Sequence, residues 1–293
     1  MTARHRRYVE ARPSYELTLR PIGEIPAVQQ PLTPFQRLAK SAIFRRAVIL
    51  LLLAALWQSY SLAVGNELMF PTFTSTIEAF WTSIVSGPLI ERTLFSFRIL
   101  AIAYAIGVVL AGALVSLSVS TQAGNDLLSL LTAMFNPLPA IALLPLALLW
   151  FGLGTSSIIF VIVHSVLWAV ALNAHSGFGS VSETTRMAGQ SFGLTGLRYI
   201  CGILVPAAFP AILSGLKIGW AFAWRTLIAA ELVFGATSSS GGLGWFIFEN
   251  RNALETDAVF AGLFMVIALG LLVEGVVFRA VEKRTVQRWG MQR

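Results

Sequence analysis

The chain has 293 residues, 56% of them hydrophobic and only 12% charged, with a formal net charge of +7 and a mean hydropathy of +0.74. Soluble domains carry about 25% charged residues, so this composition excludes a soluble globular protein and defines an integral membrane protein. The positive balance does not read as nucleic-acid binding, because it gathers at the chain ends. Nine Lys or Arg stand against three Glu before residue 47, and Arg279, Lys283, Arg284, Arg288 and Arg293 close the chain. Two basic ends predict two cytoplasmic ends.

Residues 1–46 are polar, carry Pro13, Pro21, Pro26, Pro31 and Pro34, and lack a sustained apolar period. They read as a flexible cytoplasmic tail, and no apolar core follows the first arginines closely enough for a cleavable signal peptide. Thr33-Pro34 has the form of a helix start. From there Phe35, Leu38, Ala39, Ala42 and Ile43 recur opposite Arg37, Lys40 and Arg45, the pattern of an amphipathic helix at the membrane face.

Residues 47–281 read as the membrane domain. Spanning the hydrocarbon layer takes roughly 20 apolar residues, and six segments reach that length. The first is Ala47 to Val64 and the second about Leu94 to Val119. The third, Leu127 to Phe151, contains Pro137, Pro139 and Pro145, which predict local unwinding. The fourth is Ile158 to Ala174, the fifth Ala211 to Phe234, and the sixth about Thr256 to Arg279. Gly65 to Thr93 and the Gly/Ser-rich stretch Gly235 to Glu255 are expected as outer connections. Residues 282–293 are a basic cytoplasmic tail.

The interval between the fourth and fifth spans is the longest after residue 46 that would sit poorly in lipid. Ser180 followed by Glu183 has capping-box spacing, so a short helix is expected to begin there. Gly189 weakens it, and Gly193 is placed to end it in a left-handed conformation. Met187, Ala188, Phe192 and Leu194 then form a small apolar surface on a polar helix. Such a helix either lies at the lipid headgroups or presses against something outside the bilayer.

Ionisable groups inside spans cost roughly 2.5 to 3.5 kcal/mol each at a helix centre. Lys217, Arg225 and Glu231 in the fifth span and Glu274 in the sixth are of this kind. Lys217 and Arg225 share a helix face, whereas Glu231 lies largely round the other side. Arg225 either faces a watery pathway, where it would attract an anion, or pairs with another helix. Trp220 and Trp224, one turn apart, read as packing residues before they read as a substrate cage.

Other patterns are decoys. Gly189-Gln190-Ser191-Phe192-Gly193 matches a hydrolase nucleophile elbow, but no strand precedes it and no soluble α/β domain surrounds it. Adjacent His164 and Ser165 point about 100° apart on a helix and cannot form a dyad with each other. His5, His164 and His175 are too dispersed for a metal site. The single cysteine, Cys201, excludes a disulfide framework. No phosphate-binding loop of the Gly-x-x-x-x-Gly-Lys-Ser/Thr form is present. The chain therefore reads as a protein without a catalytic site of its own.

Gly193, nine residues, then Ile203-Leu204-Val205-Pro206 resembles the cytoplasmic signature of ABC-importer permeases: Glu-Ala-Ala, three residues, Gly, nine residues, Ile-x-Leu-Pro. On this register Met187, Ala188 and Gly189 occupy the Glu-Ala-Ala positions, with Met for Glu and Gly for the second Ala. Glu183 opens a second register that the downstream Ile and Pro do not fit. The Pro-rich run from Pro137, Leu149 to Gly154, Trp224 to Leu232, Gly242-Leu243-Gly244-Trp245 and Glu255-Thr256-Asp257 are similar to the nitrate, sulfonate and taurine branch. The resemblance spans roughly residues 45 to 290.

That resemblance implies an all-α membrane protein with six transmembrane helices, the type I ABC-importer permease fold, in a bacterial inner membrane. It implies work as a homodimer with two ABC ATPase subunits and an external solute-binding protein, periplasmic or lipid-anchored. No cofactor is then expected in this chain, ATP and Mg being bound by the ATPase. The coupling helix would draw on Glu183, Met187, Ala188, Gly189, Phe192, Gly193 and Leu194. The pathway for a small anion would draw on Arg225, Glu231, Lys217 and Trp224, and alternating access would move the solute. The competing reading is a six-span secondary transporter or channel that needs no ATPase. Such transporters often show internal repeats, and none is found here.

Overall fold

Apolar segments in lipid must satisfy their backbone internally, and every regular element among the described residues is helical. The computed structural model describes residues 40–234 and 241–288. The expected helix start at Thr33-Pro34, most of the amphipathic stretch, the Ala236–Ser240 part of the Gly/Ser-rich connection and Arg293 lie outside the described residues. The chain comprises two units, Met1–Ala54 and Ala55–Arg293. In the first, Arg45 Nη1 donates to the Lys40 carbonyl at 2.8 Å; the packing and sites that follow lie in the second.

Helix α1 covers Ala42–Val64 and α2 Phe73–Val85. Between them the chain is held close to α1: Trp57 Nε1 donates to the Pro71 carbonyl at 2.9 Å and Ser61 Oγ to that of Phe70 at 2.8 Å. Thr72 caps α2 by accepting from the Ser75 N–H at 3.1 Å. The Trp57 ring also meets Phe260 and Phe264 at centroid distances of 5.3 and 5.6 Å.

Helix α3, Leu89–Ser120, is followed after one residue by α4, Gln122–Phe135. Thr121 caps α4 by accepting from the Gly124 N–H at 3.0 Å. The expected third span is not one helix. After Asn136 the chain breaks at Pro137 and Pro139, takes a 3₁₀ turn over Ala140–Leu143 and resumes as α5, Leu144–Phe151, at 87° to α4. Pro137 and Pro139 lack the N–H a continuing helix would use; Asn136 is still helical, and the chain is extended at Pro139, with ψ 121°.

Helix α6 is Thr155–Gly179, and the polar α7 is Glu183–Ser191. A single turn, α8 (Gly196–Tyr199), and a π-helical turn, Ile200–Leu204, lead into α9, Val205–Phe234. Cys201 is exposed on that π turn. The stretch expected as a Gly/Ser-rich connection contains a helix, α10, Leu243–Asn252. Helix α11, Thr256–Leu272, continues through a second π turn, Val273–Phe278, into α12, Arg279–Arg284. Among the described residues five helical stretches are long and apolar enough to cross a membrane, and the bent α4–α5 pair makes a sixth.

The core lies where α3, α6 and α9 meet, around fully buried Leu100, Ala103, Val161, Ile162, Val166 and Leu227. Small residues set the spacing. A Cβ on Gly107 would stand 2.7 Å from Val166 Cβ, one on Gly215 2.7 Å from Asn173 Cβ, and one on Gly219 2.9 Å from Val170 Cγ2. Close approach of helices over small residues is how membrane bundles gain packing where lipid is as apolar as the protein.

Candidate functional site

The polar helix α7 is held from behind and bare in front. It begins one residue past Ser182, whose Oγ accepts from the Thr185 N–H at 3.3 Å. The expected start at Ser180 is displaced because Ser180 still belongs to the end of α6, its Oγ donating to the Gly177 carbonyl at 2.8 Å. Gly193 has φ +72°, and the Gly193 and Leu194 N–H groups donate to the carbonyls of Gln190 and Gly189 at 2.8 and 3.2 Å. This pair of bonds is a complete Schellman stop. Gly189 is buried because the ring of Tyr199 and the side chain of Ile203 lie against it, 2.9 and 3.0 Å from where a Cβ would be. Arg186, which sequence reading passed over, ties α7 to α6 by donating to the Phe178 and Val181 carbonyls at 2.6 and 3.2 Å.

On the opposite side Glu183, Met187, Ala188 and Phe192 are exposed, with Met187 52% and Phe192 82% accessible, and Leu194 is half-buried. The polar helix therefore presents an apolar tip that none of the described residues covers. The Ser191 of the elbow-like motif is the last residue of this surface helix, with no strand before it.

Inside the bundle, Arg225 borders two cavities. The first, about 250 Å³, is lined by the Asn136–Ala140 break, by His164, Ser165 and Trp168 of α6, and by Phe222, Arg225 and Thr226 of α9. The helix break thus shapes this space. Neither ring nitrogen of His164 nor the Trp168 indole N–H finds a partner, and Phe135 stacks on Trp168 at 5.4 Å and 11°. The Oγ of Ser165 donates to the Ile162 carbonyl at 2.8 Å. His164, set aside in the sequence as half of a false dyad, is here a wall of the cavity.

The second cavity, about 200 Å³, lies between α9 and α11 and is lined by Lys217, Trp220, Ala221, Trp224, Arg225, Gly270, Glu274 and Phe278. Lys217 is engaged: its Nζ lies 2.6 Å from Glu282, a partner 65 residues away that sequence reading could not assign. Trp224 is buried and donates through Nε1 to the Val266 carbonyl at 3.3 Å. Arg225 and Glu274 are exposed, and neither has a hydrogen-bond or ion-pair partner among the described residues.

Glu231 lines neither cavity. It is 2% exposed and accepts from Ser96 Oγ of α3 at 2.7 and 2.8 Å and from the Gly244 N–H at 2.7 Å. Ser96 Oγ in turn accepts from the Leu243 N–H at 2.7 Å. Gly242 and Gly244 are required: a Cβ on Gly242 would run into the Glu231 carboxylate, and one on Gly244 would lie 2.8 Å from the Ile228 carbonyl. Arg92 Nη1 donates to the Gly241 carbonyl at 2.9 Å, and its Nη2 reaches Glu249 Oε2 at 3.5 Å. The Gly-Leu-Gly turn and α10 are thus clamped onto α3 and α9.

Among the described residues the chain is a multi-pass helical membrane protein with two cavities bordered by Arg225 and a polar helix with an exposed apolar tip, and comparison with known proteins gives its class. Residues 103–287 match the family described as binding-protein-dependent transport system inner membrane component, and the chain belongs to that family, as a multi-pass inner-membrane protein. It is similar to the taurine transport system permease protein TauC of Escherichia coli, 28% identical over 254 residues that cover 84% of this chain and 90% of the relative. The putative aliphatic sulfonates transport permease protein SsuC of Escherichia coli is 29% identical over 81% of this chain and 88% of its own length. The nitrate import permease protein NrtB of Synechocystis is 27% identical over 82% and 89%.

Proposed function

We propose that this chain is the permease subunit of an ATP-driven importer for a small acidic solute of the nitrate, sulfonate and taurine kind, working as two copies around one pathway. ATP and Mg bind to a separate ABC ATPase, an external binding protein delivers the solute, and both chain termini are cytoplasmic. The observation that carries this reading is α7: an apolar tip on a polar helix, rigidly braced by Arg186, Gly189 and the Schellman stop, with its outer face uncovered. A helix built this way transmits displacement from a partner to α6 and α9. Closure of two ATPases would draw two such helices together and repack the bundle between inward- and outward-facing states, which requires two arrangements of similar energy.

The test is co-purification of the full chain with a co-expressed ABC ATPase of a nitrate, sulfonate or taurine importer from the same cell. Wild type retains the ATPase, and solute-loaded binding protein accelerates hydrolysis. Met187→Lys and Phe192→Asp weaken the association roughly ten- to thirtyfold, the range for losing an apolar interface anchor. A chain that isolates alone and moves solute without nucleotide would instead be a six-span secondary transporter.

A further inference from the structure

We infer that the cavity between α9 and α11 is a solute subsite for a small zwitterion, an amino-sulfonate or ω-amino acid, whose acidic group is held by Arg225 and whose ammonium group is held by Glu274. The inference rests on the permease reading and specifies its solute.

Arg225 and Glu274 both line this cavity of about 200 Å³, yet they do not pair with each other or with any other described residue. The remaining charge on the wall, Lys217, is already matched by Glu282 at 2.6 Å. The walls therefore offer one guanidinium and one carboxylate with no other claims on them. A monoanion satisfies only Arg225 and a cation only Glu274, whereas a zwitterion satisfies both in one binding event. A charge in a membrane domain left without a counter-charge is costly, and such groups gather along solute paths.

Three further observations agree with this assignment. Glu274 sits inside the π turn Val273–Phe278, an irregularity frequent at functional sites because it re-aims side chains. Trp220 adds an aromatic ring to the wall of the same cavity. Trp224 lines the same wall, and an aromatic wall attracts an ammonium group. The first cavity also borders Arg225 but has no Asp or Glu in its wall. It would hold a monoanion as well as a zwitterion, so a preference for the zwitterion is the signature of the second cavity.

The experiment titrates the full chain, purified in lipid nanodiscs, with two matched pairs: taurine against ethanesulfonate, and β-alanine against propionate. Binding is read from tryptophan fluorescence and checked by calorimetry. At least one zwitterion is expected to bind roughly ten- to a hundredfold tighter than its partner lacking the amine, the span for gaining a charged hydrogen bond. Glu274→Gln removes that preference by weakening the zwitterion without weakening the monoanion, whose repulsion from the carboxylate is lost, whereas Arg225→Gln weakens zwitterion and monoanion alike. Equal binding within both pairs, no binding of either zwitterion, or an unchanged preference in Glu274→Gln overturns the inference. So does recovery of wild-type behaviour in the swapped Arg225→Glu, Glu274→Arg chain, which would make the two residues an ion-pair gate. None of these outcomes touches the ATPase association, which tests the permease reading separately.

Discussion

Glu231 places a carboxylate in an apolar span with no basic partner among the described residues, and its three hydrogen bonds to Ser96 Oγ and the Gly244 N–H replace water. Removing the acceptor strands those donors at a cost of roughly 1–3 kcal/mol each. Glu231→Ala is accordingly expected to lower the apparent unfolding temperature of the purified chain by more than Glu231→Gln, which still offers a carbonyl oxygen. Gly244→Ala should be as harmful, because its Cβ would lie 2.6 Å from Glu231 Cβ and 2.8 Å from a backbone oxygen. The sequence flags Glu231 as an anomaly, a carboxylate among apolar neighbours, but its partner Ser96 is 135 residues away and carries no local mark. Arg225 and Glu274 are legible for the same reason, whereas the place of His164 is not, because the cavity it lines is closed by Asn136–Ala140 and by Phe222, Arg225 and Thr226, distant in sequence.

At the scale of the element, α7 was visible in outline because a polar stretch between two lipid-length runs must leave the bilayer. Its stop at Gly193 followed from residue chemistry. Its start did not, since Ser180 and Ser182 both precede Glu183 and only the extent of α6 decides between them. Gly193→Ala, which would force a side chain into φ +72°, should cost about 1–2 kcal/mol and weaken the bracing while leaving the apolar tip intact. ATPase hydrolysis would then respond less to loaded binding protein, with retention of the ATPase nearly normal; the comparison with Phe192→Asp separates bracing from contact. Helix α10 was missed because Leu243–Asn252 is short, mixed in polarity and preceded by a Gly/Ser run, and is fixed by the Glu231 clamp rather than by its own periodicity. The break in the third span was legible as prolines, its 87° angle was not.

For the whole molecule, the packing of α3, α6 and α9 over Gly107, Gly215 and Gly219 means that helix separation is set by the absence of side chains. Hydropathy supplies the number of crossings, but pairing depends on which small residues face each other, and that requires coordinates. Gly215→Val should wedge α9 away from Asn173 and Val170, at a cost of about 1–3 kcal/mol for overpacking. The readout is a lower unfolding temperature together with loss of uptake in cells, while any ATPase association through α7, as proposed, should persist.

The π turn beneath α7 has a practical corollary. Cys201 is the chain's only cysteine, and it stands exposed on that turn, so a maleimide dye or nitroxide can be attached at one defined place without altering the natural sequence. If the chain works as two copies, as proposed, the separation of the two tags would report, as a spectroscopic ruler, whether and how far the bases of the two helices travel during turnover.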